Sequence, residues 1–482
     1  MIFSFPPRPT HCASVGRGNP ISHTNAQTRR MVFAKMSTSA AGVHAPSAPS
    51  ASQASRPTVE PNITEPNIPE LNVPEPNIPN LVVSAADHPS IQQAIDACAS
   101  LGGGTVTVPE GVWHTGPLHL KSRIRLNVEA GARVEFSADR EDYLPPVFTR
   151  WEGLECWNYS PLVYARDCED VALTGEGELV GHGEAWWDWK RTQAAGSNAL
   201  YDMAAAGVPV DDRVFGTEEA ALRPSFVQFI GCRRVLIEGV TVLDGPQWTL
   251  HPVYCDDVVV RGVTVRTAGP NTDGLNPDSC ANVLIERCSF DTGDDCIAVN
   301  AGMNEDGWRV GRPCENIVIR DCAMTGGHAA IAIGSAVSGG IGNVHVHDCT
   351  MRGVMRGVRV KSMRGRGGYV SDLTFERLSI RDVDTVALDV NMFYDTTTVE
   401  PKSAAPTDLE RVAFRDIDIA GAPLGICLKG LPERPLEGIV LDDIRCAADD
   451  GMTCTDVEGL AVRDVACTHA ADTTATTTEQ ER

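Results

Sequence analysis

The amino-acid sequence predicts an all-β chain coiled into a solenoid, and three observations carry that expectation. An eight-residue pattern recurs nine times, its copies start 21 to 39 residues apart, and the cysteines fall into register with them. The copies are VLIEGVTV from Val235, VVVRGVTV from Val258, VLIERCSF from Val283, IVIRDCAM from Ile317, VHVHDCTM from Val344 and LTFERLSI from Leu373, followed by the weaker VAFRDIDI from Val412, IVLDDIRC from Ile439 and LAVRDVAC from Leu460. Each copy is apolar at alternate positions, is broken by a charged or glycine pair, and then resumes its alternation. That is the pattern of strand, bend, strand. The starts are separated by 23, 25, 34, 27, 29, 39, 27 and 21 residues. One set of strands per coil, with extra length held in loops, is the signature of a solenoid. A β-sandwich would need a hairpin turn every 8 to 12 residues or so, and that signal is weak.

Ahead of the repeat the chain changes character twice. Residues 37 to 80 are rich in Ser, Ala, Pro and Asn and carry EPNI from Glu60, Glu65 and Glu75. Proline at that frequency removes amide donors and favours extended backbone, so residues 1–80 are expected to be a tail or linker, and residues 471–482 a second tail. Folded chain is expected over residues 81–470. Within it, Ser90 to Ser100 sets Ile91, Ala94, Ile95 and Cys98 on one helical face, a short amphipathic helix suited to capping the open end of a solenoid.

Composition restricts the function. With 482 residues and 42% hydrophobic content the chain can bury a large core. Lys+Arg 41 against Asp+Glu 64 gives a net charge of −23, which argues against a broad electrostatic grip on nucleic acid or an anionic membrane. An anionic substrate would then require a local basic patch. No run of about 18 apolar residues occurs, so no membrane insertion is expected. The first 30 residues hold no apolar segment of secretory length, Pro6 and Pro7 interrupt IFSF, and nothing after Met31 or Met36 supplies one. A cytoplasmic location is therefore expected over a secreted one. Oligomeric state is left open.

The 16 cysteines follow the repeat. Cys232, Cys255, Cys280 and Cys314 each precede an apolar triplet by three residues, and Cys288, Cys322 and Cys349 share the sixth position of their copies. Equivalent positions stack in a solenoid. Two internal columns of mostly reduced thiols are expected, acting as small buried hydrophobes.

Four polar clusters interrupt the repeat: NTDG from Asn271, GDDC from Gly293, GHA from Gly327 and RVK from Arg359. Asp273 and Asp294 are 21 residues apart, about one coil, and are expected on neighbouring coils roughly 4.8 Å apart. His328 and Arg359 follow at spacings that suit later coils with longer loops. Each cluster alone has an ordinary reading: a turn, a solvated or calcium-binding Asp pair, a structural histidine, an exposed strand face. Gathered on consecutive coils they describe a site. Three carboxylates so close cannot all ionise at no cost, and one is pushed toward the pKa of a general acid. Glycosidic cleavage needs that division, one carboxyl to protonate the leaving oxygen and a carboxylate to activate water or attack. Arg359 and Lys361, two apart on a strand, point the same way and supply the basic patch for a sugar carboxylate.

This motif set resembles that of glycoside hydrolase family 28, the polygalacturonases, with NTDG, DDC, GHG and R-x-K. The likeness extends to LGGGTVTVPEGVWHTGPLHLKS from Leu101, WEG from Trp151, GPQWTLHP from Gly245, NTDGLNPDSC from Asn271 and FDTGDDCIA from Phe290, over residues 81 to about 395. The resemblance implies a right-handed parallel β-helix that hydrolyses the α-1,4-linked galacturonic acid backbone of pectin with inversion, without a metal or other cofactor. It makes Asp294 the general acid and gives Asp273 and Asp295 the positioning and deprotonation of water. His328 would tune the acid. Arg359 and Lys361 would hold the galacturonate carboxylate beyond the scissile bond, with Asn271 and Tyr394 as further substrate contacts. The branch resembled is rich in exo-acting enzymes, so exo action is expected. Two departures bear on the substrate: Ala329 stands where GHG has its second glycine, and Asn300 where many bacterial relatives carry Lys. A rhamnogalacturonan or xylogalacturonan hydrolase of the same family is the alternative enzyme. A non-catalytic carbohydrate-binding β-helix would need no NTDG with DDC, and a pectate lyase would need calcium carboxylates and a basic residue as base.

Overall fold

The structure, a computed structural model, describes residues 71–394 and 406–469. Twenty-six strands of this region join in one sheet whose successive coils pair in parallel, a right-handed parallel β-helix. Val235, Val258, Val283, Ile317, Val344, Leu373, Val412 and Ile439, each opening a copy of the repeat, fall in one register column. Their alternate residues fill the interior: Val235, Ile237, Val240 and Val242 are buried, and the same positions are buried on the coils beyond. Each such side chain contributes about 1.5–3 kcal/mol on leaving water.

The bend has a single conformational cause. The fifth residue of every copy is left-handed: Gly239, Gly262, Arg287, Asp321, Asp348, Arg377, Asp416, Asp443 and Asp464 have φ between 48° and 79°. Glycine adopts this region freely and Asp tolerates it, which explains the glycine or charged pair inside an otherwise apolar pattern. On the later coils the strands run unbroken through the bend, as in Tyr369–Arg381, Asp408–Lys429 and Leu436–Thr455.

The helix Ile91–Ser100 forms as expected, opened by Ser90, whose side chain accepts from Gln93 N. Its buried face is Ile91, Ala94, Ile95 and Cys98, joined to the core of the first coils. Residues 71–80, assigned to the linker by composition, instead lie against the outer strand face. Val73 is buried with Ala172, Leu236, Val259 and Leu284, Asn77 N donates to Asp170, and Glu75 pairs with Arg261. Two apolar residues set among the prolines, Leu71 and Val73, follow an apolar stripe on the outer face of the sheet. The remainder of that tail, residues 1–70, and the C-terminal tail, residues 471–482, lie outside the described residues.

All 15 cysteines in the described region are free thiols. Register pairing stacks Cys168, Cys232, Cys255, Cys280 and Cys314 in one column and Cys288, Cys322 and Cys349 in another. Cys168 extends the first column by one coil beyond the expectation. No helix of the described residues is long and apolar enough to cross a membrane.

Two insertions stand apart from the coils. An antiparallel hairpin pairs Val147–Trp151 with Leu154–Asn158, and helical turns over Glu184–Trp187, Asp188–Arg191 and Ala194–Ala205 fill the interval before Val227–Ile230. Arg150 pins the hairpin to the coils: it is buried, 3.1 Å from Asp278 and 2.9 Å from the Ser279 hydroxyl, to which it donates.

Candidate active site

The polar clusters meet where the chain turns into the strands Ile297–Val299, Ile331–Ile333 and Arg356–Lys361. The bridge between Leu275 and Ile297, with the bond from Gly274 N to the Asp295 carbonyl, sets Asp273 and Asp295 at equivalent points of successive coils. The expected stacking of Asp273 on Asp294 is therefore off by one residue. Asp294 lies beside that column, and His328 reaches it from the next coil, His328 N donating to the Asp294 carbonyl at 3.1 Å. One oxygen from each of Asp273, Asp294 and Asp295 nonetheless lies within 4.8 Å of the others. Gly327 makes the approach of His328 feasible: its φ is +104°, and a Cβ there would run into the Asp294 carbonyl and the Thr292 hydroxyl.

Each carboxylate has a different environment. Asp294 Oδ1 is 2.9 Å from His328 Nδ1, and its Oδ2 accepts from Asn271 Nδ2 at 3.4 Å. Asp295 Oδ2 accepts from Lys361 Nζ at 2.7 Å, while its Oδ1 has no donor among the described residues. Asp273 Oδ2 accepts from Asn276 Nδ2 at 2.9 Å. Burial, with Asp294 and Asp295 as like-charged neighbours, pushes Asp273 well above the usual carboxylate range. Burial also presses on Asp294, but the hydrogen bond and charge of His328, aided by Lys361, outweigh it and hold that carboxyl below its usual value. His328 is correspondingly raised by the bond to Asp294, against the opposing effect of burial. Asp273 and His328 thus hold a proton more tightly than the free groups do, and Asp294 less tightly. Accessibility separates the three: the Asp294 side chain is 19% exposed and that of Asp295 3%, and Asp273 is 5% exposed.

The basic patch forms, with its charges differently employed. Lys361, expected on the substrate, is buried against Asp295. Arg359 and Arg356 both lie near Asp389, at 3.7 and 3.3 Å. Tyr394 lies beneath both cations, its ring centre 5.0 Å from the Arg359 guanidinium and 5.1 Å from Lys361 Nζ. Asn271, also expected on the substrate, has both ends of its amide engaged, donating to Asp294 and accepting from Arg223 at 2.8 Å. The three carboxylates form the one cluster among the described residues with a spacing suited to a metal ion. Two of the three already face a cation from the chain.

Ala329 and Asn300 are wall residues. The Ala329 methyl is buried against Ala298 and Ala332. Asn300 is buried and donates to the Ala298 carbonyl, and it stacks on Asp278, whose cation is Arg150 from the hairpin.

Five residues near the triad, Arg223, Glu152, Gln247, Lys190 and Trp187, carry no mark as site residues in the sequence. Arg223 is fully buried and holds Asn271, the Pro246 and Pro270 carbonyls and Gln193. Glu152, at the hairpin tip, accepts from Gln247 at 3.0 Å. Lys190 acts electrostatically on Glu152, Asp294 and Asp273. The signals for Glu152 and Gln247 were the WEG and GPQW segments. Lys190 and Arg223 sit in the insertion, where no repeat marks a position. Trp187 of the same insertion donates to the Gly245 carbonyl at 3.0 Å, and its indole lies where a Cβ on Gly269 would stand, on the coil immediately before that of Asp294.

Residues 212–468 match the signature of Glycosyl hydrolases family 28. A probable polygalacturonase of Vitis vinifera is 30% identical over 377 residues, covering 75% of this chain and 72% of that protein. An exo-poly-alpha-D-galacturonosidase of Dickeya chrysanthemi is 27% identical over 336 residues, 63% of this chain and 54% of that one. Among solved structures, a hyperthermoactive exopolygalacturonase from Thermotoga maritima superposes with a TM-score of 0.76 at 36% identity, covering 81% of this chain and 94% of that chain.

Proposed function

The chain belongs to family 28 of the glycosyl hydrolases, and from that premise we propose that it hydrolyses the α-1,4-linked galacturonic acid backbone of pectin from a chain end. The observation that carries this reading is the asymmetry of the surroundings of the triad. On the C-terminal side, Arg359 over the Tyr394 ring and Arg356, which shares Asp389 with it, offer positive charge to a uronate. On the N-terminal side, Trp187 packs on Gly269, one coil before Asp294, and we read it as the wall that stops the polymer there. Coils advance about 4.8 Å each, so a wall one coil away leaves room for about one sugar ring. The exo-acting relatives from Dickeya chrysanthemi and Thermotoga maritima support the same conclusion.

In this mechanism Asp294 donates the proton to the glycosidic oxygen, because it alone of the three presents its side chain to the cleft. His328, with Nδ1 2.9 Å from Asp294 Oδ1, is placed to return a proton to it. Asp295 receives the proton of the attacking water on Oδ1, with Lys361 fixing the carboxylate through Oδ2. Asp273, fixed by Asn276, orients the water. Arg359 and Arg356 bind the carboxylate of the leaving sugar, which favours galacturonan over a backbone with a neutral sugar at that place.

One distance favours a second stereochemical reading. The carboxylate oxygens approach within 4.8 Å, nearer to the separation of about 5–5.5 Å in retaining enzymes than to the roughly 6.5–9.5 Å of inverting ones. We keep inversion, because the nearest oxygens understate the distance between carboxyl centres and Asp294 faces outward. Digestion of defined oligogalacturonides followed by proton NMR tests both points. Monomer should appear first, as the β-anomer. Internal oligomers appearing first would defeat the chain-end reading, and initial α-anomer would establish retention.

A further inference from the structure

Beside the triad, the proposed mechanism leaves Glu152 and Lys190 without a task. We propose that these two residues recognise the terminal galacturonate on the N-terminal side of the scissile bond, Lys190 through the sugar carboxylate and Glu152 through a ring hydroxyl. The assignment rests on the chain-end reading above.

A uronate entering that space meets Asp273, Asp294 and Asp295, and without an opposing cation it would be repelled. Arg223 is not available for the purpose, since its Nε, Nη1 and Nη2 already donate to Gln193, to the Pro246 and Pro270 carbonyls and to Asn271. Lys190 is available. It lies in the turn Asp188–Arg191, directly after the Trp187 that packs on Gly269, and it makes no hydrogen bond or ion pair among the described residues while its charge acts on Glu152, Asp294 and Asp273. Burial depresses its pKa, as expected for an ammonium shielded from bulk water and awaiting an anion.

Glu152 is positioned with similar precision. It occupies the hairpin tip at a left-handed φ of 45°, and the hairpin is anchored by the buried Arg150–Asp278 pair. Among the described residues Gln247 engages Oε1 alone, so Oε2 is an acceptor for a sugar hydroxyl. With Arg356 and Arg359 on the far side of the bond, both sugars flanking the cut then face a cation. The substrate class that follows is a backbone with a free carboxylate on each of the two residues, which excludes an alternating acidic and neutral backbone.

The experiment compares trigalacturonate with the same trimer methyl-esterified only on its non-reducing residue. It measures kcat/KM for monomer release by the wild type, Lys190→Met, Lys190→Arg and Glu152→Gln. The wild type should lose about 10- to 100-fold on the ester, the range of one charge-assisted contact. Lys190→Met should lose a similar factor on the acid and nothing further on the ester. Lys190→Arg should restore much of the discrimination, and Glu152→Gln should act mainly through KM. Both substrates are compared at one pH, so any effect of Lys190 on the ionisation of Asp294 cancels. Wild-type discrimination persisting in Lys190→Met overturns the proposal, as does a wild type indifferent to the terminal ester, a result that needs no variant to fold. Release of internal oligomers by the wild type would instead overturn the chain-end reading beneath it.

Discussion

Replacing Lys361 with Met tests whether that residue serves the fold before it serves the substrate. Lys361 Nζ is 2.7 Å from Asp295 Oδ2, and the two side chains are 7% and 3% exposed. Removing one member of such a pair leaves a desolvated charge, which costs about 3–5 kcal/mol. That corresponds to roughly 10²- to 10⁴-fold in the folding equilibrium and a fall on the order of 10 °C in the thermal midpoint. The penalty depends on pH in a defined direction. An orphaned carboxylate binds its proton more tightly when folded, so the variant gains on the wild type as pH falls and loses as pH rises through the carboxylate range. Asp295→Asn placed in the same chain discharges the orphan, and the double variant should regain most of the loss while remaining inactive. Thermal unfolding at acidic and mildly alkaline pH, for the wild type, both single variants and the double, gives the cycle. A Lys361→Met protein that melts with the wild type at alkaline pH, or a double variant no more stable than the single, would refute the reasoning.

Three further outcomes follow from the same geometry. Asp294→Asn keeps the shape and hydrogen bonds of the side chain but not its proton, and kcat on oligogalacturonides should fall by about 10²–10⁴-fold with KM little changed; near wild-type turnover would remove Asp294 from the acid role. His328→Gln should move the alkaline limb of the kcat/KM profile to lower pH, because His328 holds its proton above the ordinary imidazole range through its bond to Asp294. The same pair adds stability that is fully present below the ordinary imidazole value and is lost as pH rises through the raised one, so the stability difference between wild type and variant should shrink in alkali; a limb that stays in place would show that the imidazole does not share the proton. Exhaustive chelation should leave hydrolysis unchanged, since Lys361 and His328 already oppose the charge of the carboxylates; loss of activity restored by a divalent cation would assign the cluster to a metal.

The coils were legible because the solenoid converts sequence period directly into position. Val235, Val258 and Val283 announce their stacking by repetition, and the left-handed corner leaves its trace in Gly239, Gly262 and Asp321. The triad was legible as composition but not as register. Counting from Asp273 to Asp294 misses by one residue because the turn between them, and not the strand, sets which carboxylate stacks. Lys361 illustrates a second limit: alternation along Arg356–Lys361 gives the direction of its side chain, but the carboxylate it meets comes from a loop 66 residues earlier. The wall formed by Glu152, Lys190 and Trp187 was least accessible, since an insertion has no copies to compare and its placement depends on tertiary contacts such as Arg150 to Asp278.

The column of Cys168, Cys232, Cys255, Cys280 and Cys314 has a consequence for the handling of the protein. Neighbouring coils are about 4.8 Å apart, within the span of about 4.4–6.8 Å that a disulfide bridges between Cα atoms. An oxidant reaching this interior would find every adjacent pair a candidate for crosslinking. Five thiols in a row cannot all pair, so oxidation would divide the population among several crosslinked isomers, each with one unpaired sulfur left at a different height. A uniform preparation therefore depends on the tightness of the coils around these sulfurs, and the count of free thiols under native conditions is a sensitive measure of whether the barrel has breathed.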